Sequence, residues 1–403
     1  MVNLGSYCPT NERNVHLMPL PEIPEGMRRP SSYLPEMEAW RGWAILLVLL
    51  SHWQGLLNFL SHEGYESSPI WVKWIVAGNT GVTLFFVLSG FLLCTPFIKN
   101  LRGGPPVDLS AFYFARILRI IPLYYAVVCF SLIITGKMIA LRALFFIPLG
   151  IEVFPYSAPW WSLCTEAQFY LLLPLVMLLL TNRWGRLALL ALLIILIVVR
   201  FQNPGWSGDY SYFGLSILGR STAFIAGGLV SWAYQTEGGH RLLRSRTFVN
   251  ATFYLSGTAL LTQLAYYGGG PARAMKVFPA HHDLEAILWA LIIFSSLGPV
   301  VFKNVFSNRL NIHLGTISYS LYLVHVPIQF YLLYSFPNLL TDPNVPASGR
   351  HSPEMAIRVA VSAVLCWLVA MLTYRYIEMP FLKLKSRLPT RNTNPNTVNQ
   401  APT

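Results

Sequence analysis

The chain alternates long apolar runs with short polar breaks, and the runs have the length of bilayer crossings. A helix rising about 1.5 Å per residue needs about 20 mostly apolar residues to cross a hydrocarbon layer of roughly 30 Å. Runs bounded by Gly, Pro and charge predict about ten spanning helices, near residues 39–60, 76–98, 112–135, 160–181, 185–201, 212–235, 247–267, 284–302, 311–336 and 355–377. The stretch 138–150 is apolar but too short to cross upright, so it reads as re-entrant or interfacial. The expected fold is an all-α polytopic membrane protein, a bundle of about ten transmembrane helices. Residues 1–38 form a polar cytosolic segment carrying Pro19, Pro21, Pro24, Pro30 and Pro35 and lacking an apolar signal core, so the first spanning helix directs insertion. Residues 39–382 make one membrane domain without internal repeats. The tail 383–403, rich in Asn, Thr and Pro, reads as disordered and cytosolic.

Composition supports this class and removes others. The chain is 54% hydrophobic and 11% charged, with mean hydropathy +0.49, where a soluble chain carries about 25% charge. The net charge of +12 does not indicate nucleic acid, because Lys and Arg are dispersed in short loops between apolar runs. Lys99, Arg102, Arg183, Arg186, Arg241, Arg244, Arg246, Lys303, Arg309, Lys383, Lys385 and Arg387 fall on one side of the predicted bundle. Fewer basic residues, with Glu63, Glu66, Asp283 and Asp342, fall on the other. The excess places both termini in the cytosol. Cys8, Cys94, Cys129, Cys164 and Cys366 are scattered, without the spacing of a disulfide framework or a zinc site. No metal-ligand motif, nucleophile elbow or phosphate-binding loop is present.

Ionisable residues inside apolar runs carry the candidate chemistry. Arg41 and His52 lie eleven positions apart on the first predicted helix; eleven steps of about 100° return to nearly the same face and advance about 16 Å. If Arg41 marks a membrane surface, His52 lies about halfway through a core of roughly 30 Å, where an imidazole is costly and points to function. A structural histidine, hydrogen-bonded within the bundle, is the plain alternative. Arg116 and Arg119, one turn apart at the cytosolic start of the third helix, suit a phosphate-bearing ligand or anchor the helix at lipid headgroups. Glu166, inside the fourth helix, would orient or charge an imidazole or balance an arginine. Ser318, Tyr319, Ser320, Tyr322 and His325 form a polar stripe on the ninth helix, serving helix contact or catalysis. Ser89 and Gly90 permit tight helix packing or ligand approach.

The order of these motifs resembles the acyltransferase 3 family of integral-membrane O-acyltransferases over 38–381. The run from Glu38 to His52 resembles the family's first-helix pattern of an acidic residue, an arginine, ten residues and a histidine, with Glu where Asp is usual. Residues 85–91 resemble its FFxLSGF segment, and 116–122 its R-x-x-R-x-x-P. Residues 161–170 resemble W-x-L-x-x-E-x-x-F-Y, 317–325 resemble ISYxLYLxH, and Ile377 to Pro380 its closing I-E-x-P. The resemblance implies transfer of an acyl group, most often acetyl from acetyl-CoA, to a hydroxyl. Acetyl-CoA would be a co-substrate, with no permanently bound cofactor.

On that reading Arg116 and Arg119 hold the CoA phosphates, with Arg41 at the same surface. Neutral His52 takes the proton of the acceptor hydroxyl, Glu166 stabilises the imidazolium, and Tyr319, Ser320 or His325 supply oxyanion donors. Transient acylation of His52 is the alternative. The sequence carries no appended hydrolase-like domain of the kind found on some glycan-modifying bacterial members. The expected acceptor is therefore a hydroxylated lipophilic small molecule such as a terpenoid or polyketide, with membrane lipid as surroundings. The runner-up is a glycan or lipid-linked sugar. A secondary transporter is the alternative from another class, though repeated halves and paired interrupted helices are not evident.

Overall fold

The computed structural model describes residues 34–61, 69–203, 214, 216–267, 280–334 and 353–385. The predicted cytosolic segment and tail fall outside these residues except at their inner ends. In chain order the helices are α1 Pro35–Ser61, α2 Ile70–Val76, α3 Thr80–Leu101, α4 Leu109–Thr135, α5 Trp160–Leu179, α6 Arg183–Gln202, α7 Ile217–Tyr234 and α8 Glu237–Arg244. They continue as α9 Arg246–Tyr267, α10 His281–Ser296, α11 Lys303–Phe306, α12 Arg309–Thr316, α13 Ser318–Tyr334, α14 Pro353–Thr373 and α15 Met379–Lys385. No strand occurs among the described residues. Each of the ten predicted spans overlaps a helix. By length and composition four helical stretches among the described residues suffice to cross a membrane: Ile70–Leu101, Leu109–Thr135, Trp160–Leu179 and Ala356–Leu384.

Several boundaries depart from the hydrophobic pattern for local reasons. Helix α1 opens at Pro35, inside the segment expected to be polar coil, because proline suits a first helical position and Glu36 and Glu38 favour the positive end of the helix dipole. Helix α10 stops at Ser296, before Gly298 and Pro299, rather than running to 302. The ninth predicted helix is broken at Ile317 into α12 and α13, with Asn308 capping α12 through the Asn311 amide at 2.9 Å. The last run ends in a π-helical turn, Tyr374–Glu378, and the stretch 138–150 folds as a 3-10 helix, Met138–Phe145. Elsewhere the chain signals its own ends: Asp108 caps α4 through Ala111, and Gly136 closes it at φ 65°.

Helix contacts rest on small residues and satisfied indoles. Helix α3 packs on α7, α1 on α12 and α3, α10 on α9 and α7, and α13 on α14. A Cβ at Gly90 would overlap the Phe224 carbonyl, and one at Gly227 the Val87 carbonyl, so the α3–α7 backbones touch only because both residues are glycine. The same holds where Gly42 meets Asn311 and Gly315 meets Glu38. Trp40 donates its indole N–H to Ser296 (2.8 Å), Trp289 to Thr80 (2.7 Å) and Trp53 to Ser362 (2.8 Å). These bonds tie α1 to α10, α10 to α3 and α1 to α14 while the rings stay in apolar surroundings.

Candidate active site

Two polar clusters stand inside this bundle. The first is a cavity of about 50 Å³, room for a few waters. Its walls bring together five residues expected from sequence to share a site: Arg41 from α1, Ser89 from α3, Arg119 from α4, Glu166 from α5 and Tyr319 from α13. Ser89 donates its hydroxyl to Glu166 at 2.8 Å, and Glu166 also faces the Tyr170 hydroxyl. Arg41 pairs with Glu38, one turn back, at 3.4 Å. Arg119 lines the cavity without a hydrogen bond or ion pair to the described residues, although Glu378, Glu38 and Glu166 all lie within its electrostatic reach. Two arginines, Arg41 and Arg119, therefore stand among three carboxylates, Glu38, Glu166 and Glu378.

Arg116 sits beside the cavity rather than on its wall. Its guanidinium lies 5.3 Å from the centre of the Phe112 ring and 5.9 Å from that of Tyr170, at distances where a ring face attracts a cation. Its Nε is buried without a hydrogen-bond partner, so it retains donor capacity for a ligand.

The second cluster joins α1 to α13. His52 Nδ1 lies 3.4 Å from His325 Nε2, the rings meeting edge-on with centroids 4.8 Å apart. His52 Nδ1 also lies 2.9 Å from the Val48 carbonyl, and His325 Nδ1 lies 2.8 Å from the Tyr322 carbonyl. His325 is fully buried and His52 half-buried. Gln329, one turn beyond His325, donates to the Leu49 carbonyl at 3.4 Å and holds the two helices in register. Tyr322 stands between the clusters: it lines the cavity, shares a 2.7 Å hydrogen bond with Ser162, and its ring centre is 5.8 Å from that of His325.

The remaining expected residues go elsewhere. No hydrogen bond joins Glu166 to His52 among the described residues; Glu166 sits with Ser89 and the arginines instead. Tyr319 donates its hydroxyl to the Ile120 carbonyl at 2.6 Å, and Ser320 donates to Glu378 at 3.0 Å. Two of the three proposed oxyanion donors thus already serve protein acceptors, and the third, His325, has its Nδ1 at 2.8 Å from the Tyr322 carbonyl. Sequence reasoning quoted Glu378 in the closing motif but gave it no role. It is 2% exposed, and an acidic residue at the end of an apolar run was the available signal.

A family model for an acyltransferase domain matches residues 34–375. The chain belongs to the acyltransferase 3 family. The matched region of this acyltransferase 3 chain contains every candidate residue named above except Glu378. The chain is similar to the O-acetyltransferase OatA of Staphylococcus aureus, at 26% identity over 87% of this chain and 57% of that protein. It is also similar to the putative peptidoglycan O-acetyltransferase YrhL of Bacillus subtilis, at 24% over 86% and 55%, and to the peptidoglycan O-acetyltransferase OatA of Listeria monocytogenes, at 23% over 88% and 57%. The chain thus spans about half the length of the curated relatives it matches. No solved structure matches it significantly.

Proposed function

We propose that this chain is a membrane-embedded O-acyltransferase of about ten spans, with cytosolic termini, that moves an acetyl group from acetyl-CoA to a hydroxyl of a glycan or lipid-linked sugar. His52 carries the reading: an ionisable side chain on an apolar helix, held by a carbonyl and a second histidine, with Tyr322 between that pair and the arginine-lined cavity. In the proposed step His52 takes the acceptor's hydroxyl proton, the oxygen attacks the thioester carbonyl carbon, and the C–S bond breaks. The CoA sulfur then takes the proton from the imidazolium, so that an ester and a free thiol leave. Arg116 and Arg119 would attract the CoA phosphates, which offer the oxygens that guanidinium forks fit.

Similarity to two peptidoglycan O-acetyltransferases, one of them putative, favours a glycan acceptor over the terpenoid or polyketide expected from sequence. One observation supports a lipophilic acceptor as the second reading. An apolar groove of about 270 Å³ runs along α1, lined by Trp43, Leu46, Leu49, Trp53, Leu321 and Trp367 among others. Family membership supports acyl transfer over transport; uptake of unmodified substrate into vesicles, without acyl transfer, would reverse that.

The test is transfer from radiolabelled acetyl-CoA in membranes containing wild type or Arg116→Ala/Arg119→Ala, offered glycan and lipophilic acceptor pools separately. Wild type should label the glycan pool. The double variant should need at least about tenfold more acetyl-CoA for half-maximal rate, since each lost charge-assisted bond is worth about 1.5–3 kcal/mol. An unchanged KM for acetyl-CoA would remove the arginines from donor binding, and label in the lipophilic pool alone would select the second reading.

A further inference from the structure

The contacts of the two histidines determine where each carries its hydrogen. A carbonyl oxygen can only accept, so a ring nitrogen within hydrogen-bond distance of one must carry the proton. His52 Nδ1 lies 2.9 Å from the Val48 carbonyl. His325 Nδ1 lies 2.8 Å from the Tyr322 carbonyl. Both neutral rings are therefore Nδ1–H tautomers, and in both the lone pair resides on Nε2. The lone pair of His325 Nε2 faces His52 Nδ1 at 3.4 Å, so the His52 N–H is shared between a backbone carbonyl and an imidazole. His52 Nε2 is left with no hydrogen-bond partner among the described residues.

We infer that His325 is a positioning residue for His52: it accepts from Nδ1–H, aims the Nε2 lone pair, and strengthens its hold when Nε2 takes a proton. The inference rests on the proposed function and assigns within it the reacting atom and the residue that supports it. When the acceptor hydroxyl gives its proton to Nε2, His52 becomes an imidazolium whose Nδ1–H is a charged donor. Charge-assisted hydrogen bonds are roughly twice as strong as neutral ones, so the Nε2 of His325 contributes more in the transition state than before it. Glu166, bonded to Ser89 in the neighbouring cavity, makes no such contact. His325 suits the task because it is fully buried and its other nitrogen is fixed by its own helix.

The test separates an acceptor at this position from mere bulk. In His325→Gln the side-chain amide reaches where Nε2 stood and its oxygen can accept from His52. In His325→Asn the amide reaches only to Nδ1, and His325→Leu fills the space without a polar atom. His325→Asn and His325→Leu should lower kcat on the order of 100-fold, the scale of a misplaced catalytic group, with KM for acetyl-CoA unchanged. His325→Gln should recover most of the loss. A kcat in His325→Leu equal to wild type, or a His325→Gln no better than His325→Leu in equally folded protein, would overturn the inference. A second readout needs no variant of His325. Nitrogen-15 spectra of histidine-labelled protein in nanodiscs, with the His52 signal assigned by its disappearance in His52→Gln, should show protonated Nδ1 and bare Nε2; the opposite tautomer overturns the assignment. Full activity in His52→Ala would instead overturn the proposed function, leaving the tautomer result standing as structure alone.

Discussion

His52→Ala should lower acetyl transfer by about 10²- to 10⁴-fold, the contribution of a positioned general base, and leave the protein inserted and monodisperse. The separation of activity from stability follows from what His52 touches. Its ring is half-buried, and its polar contacts are the Val48 carbonyl and His325 Nε2. The Val48 carbonyl keeps its helical partner, the backbone N–H four residues on, when the ring is removed. His325 loses an acceptor contact but keeps its bond to Tyr322. Neither change leaves a buried donor without an acceptor, which is the costly outcome. Initial rates over a range of acetyl-CoA concentrations, with size-exclusion profiles of the same preparations, check both halves. Substantial turnover in well-inserted His52→Ala protein would exclude both a general base and a transiently acylated histidine at this position.

Such a clean separation was foreseeable because His52 is a polar interruption of an apolar helix, and the same logic explains what the sequence revealed. Long apolar runs specify helices, since a segment that crosses lipid satisfies its backbone within itself only as a helix. Breaks inside runs are harder to read: Ile317 looks like helix interior, yet α12 and α13 part there, next to the Gly315 contact with Glu38. The π turn at Tyr374–Glu378 likewise has no compositional mark, because a one-residue change of hydrogen-bond register needs none. For the site, isolated charges in apolar surroundings named Arg41, His52, Glu166 and His325 individually. Their partners were not legible. His52 and His325 are 273 positions apart, and no periodicity within one helix reports which neighbour it faces. Glu166 against His52 was a chemical guess about pairing, whereas the packing of α3 on α5 gives Glu166 to Ser89.

Gly90→Leu should abolish recovery of folded protein, and Gly257→Ala should not. Both glycines are within long helices, where glycine is less favourable than alanine by roughly 0.5–1 kcal/mol. They differ in what a side chain would meet. At Gly257 nothing lies within 4 Å of an added Cβ, so alanine recovers helix propensity without a clash and should raise thermal stability slightly. At Gly90 the Cβ would overlap the Phe224 carbonyl, and the reciprocal Gly227 contact with Val87 prevents either backbone from yielding. Over-packing costs typically about 1–3 kcal/mol and more when backbones must separate, and α3–α7 separation would also open the ring contact of Phe86 with Phe224, now at 4.8 Å between centroids. Alanine at Gly90 should give an intermediate result: protein recovered at lower melting temperature, with acetyl transfer falling more than stability. The reason is the residue beside it. Ser89 holds Glu166 at 2.8 Å, so any displacement of α3 from α7 shifts the carboxylate that faces Arg41 and Arg119 across the cavity. Thermal unfolding and transfer rate measured on Gly90→Ala, Gly90→Leu and Gly257→Ala decide the point; a Gly90→Leu protein as stable as wild type would show that α3 and α7 do not touch through this glycine.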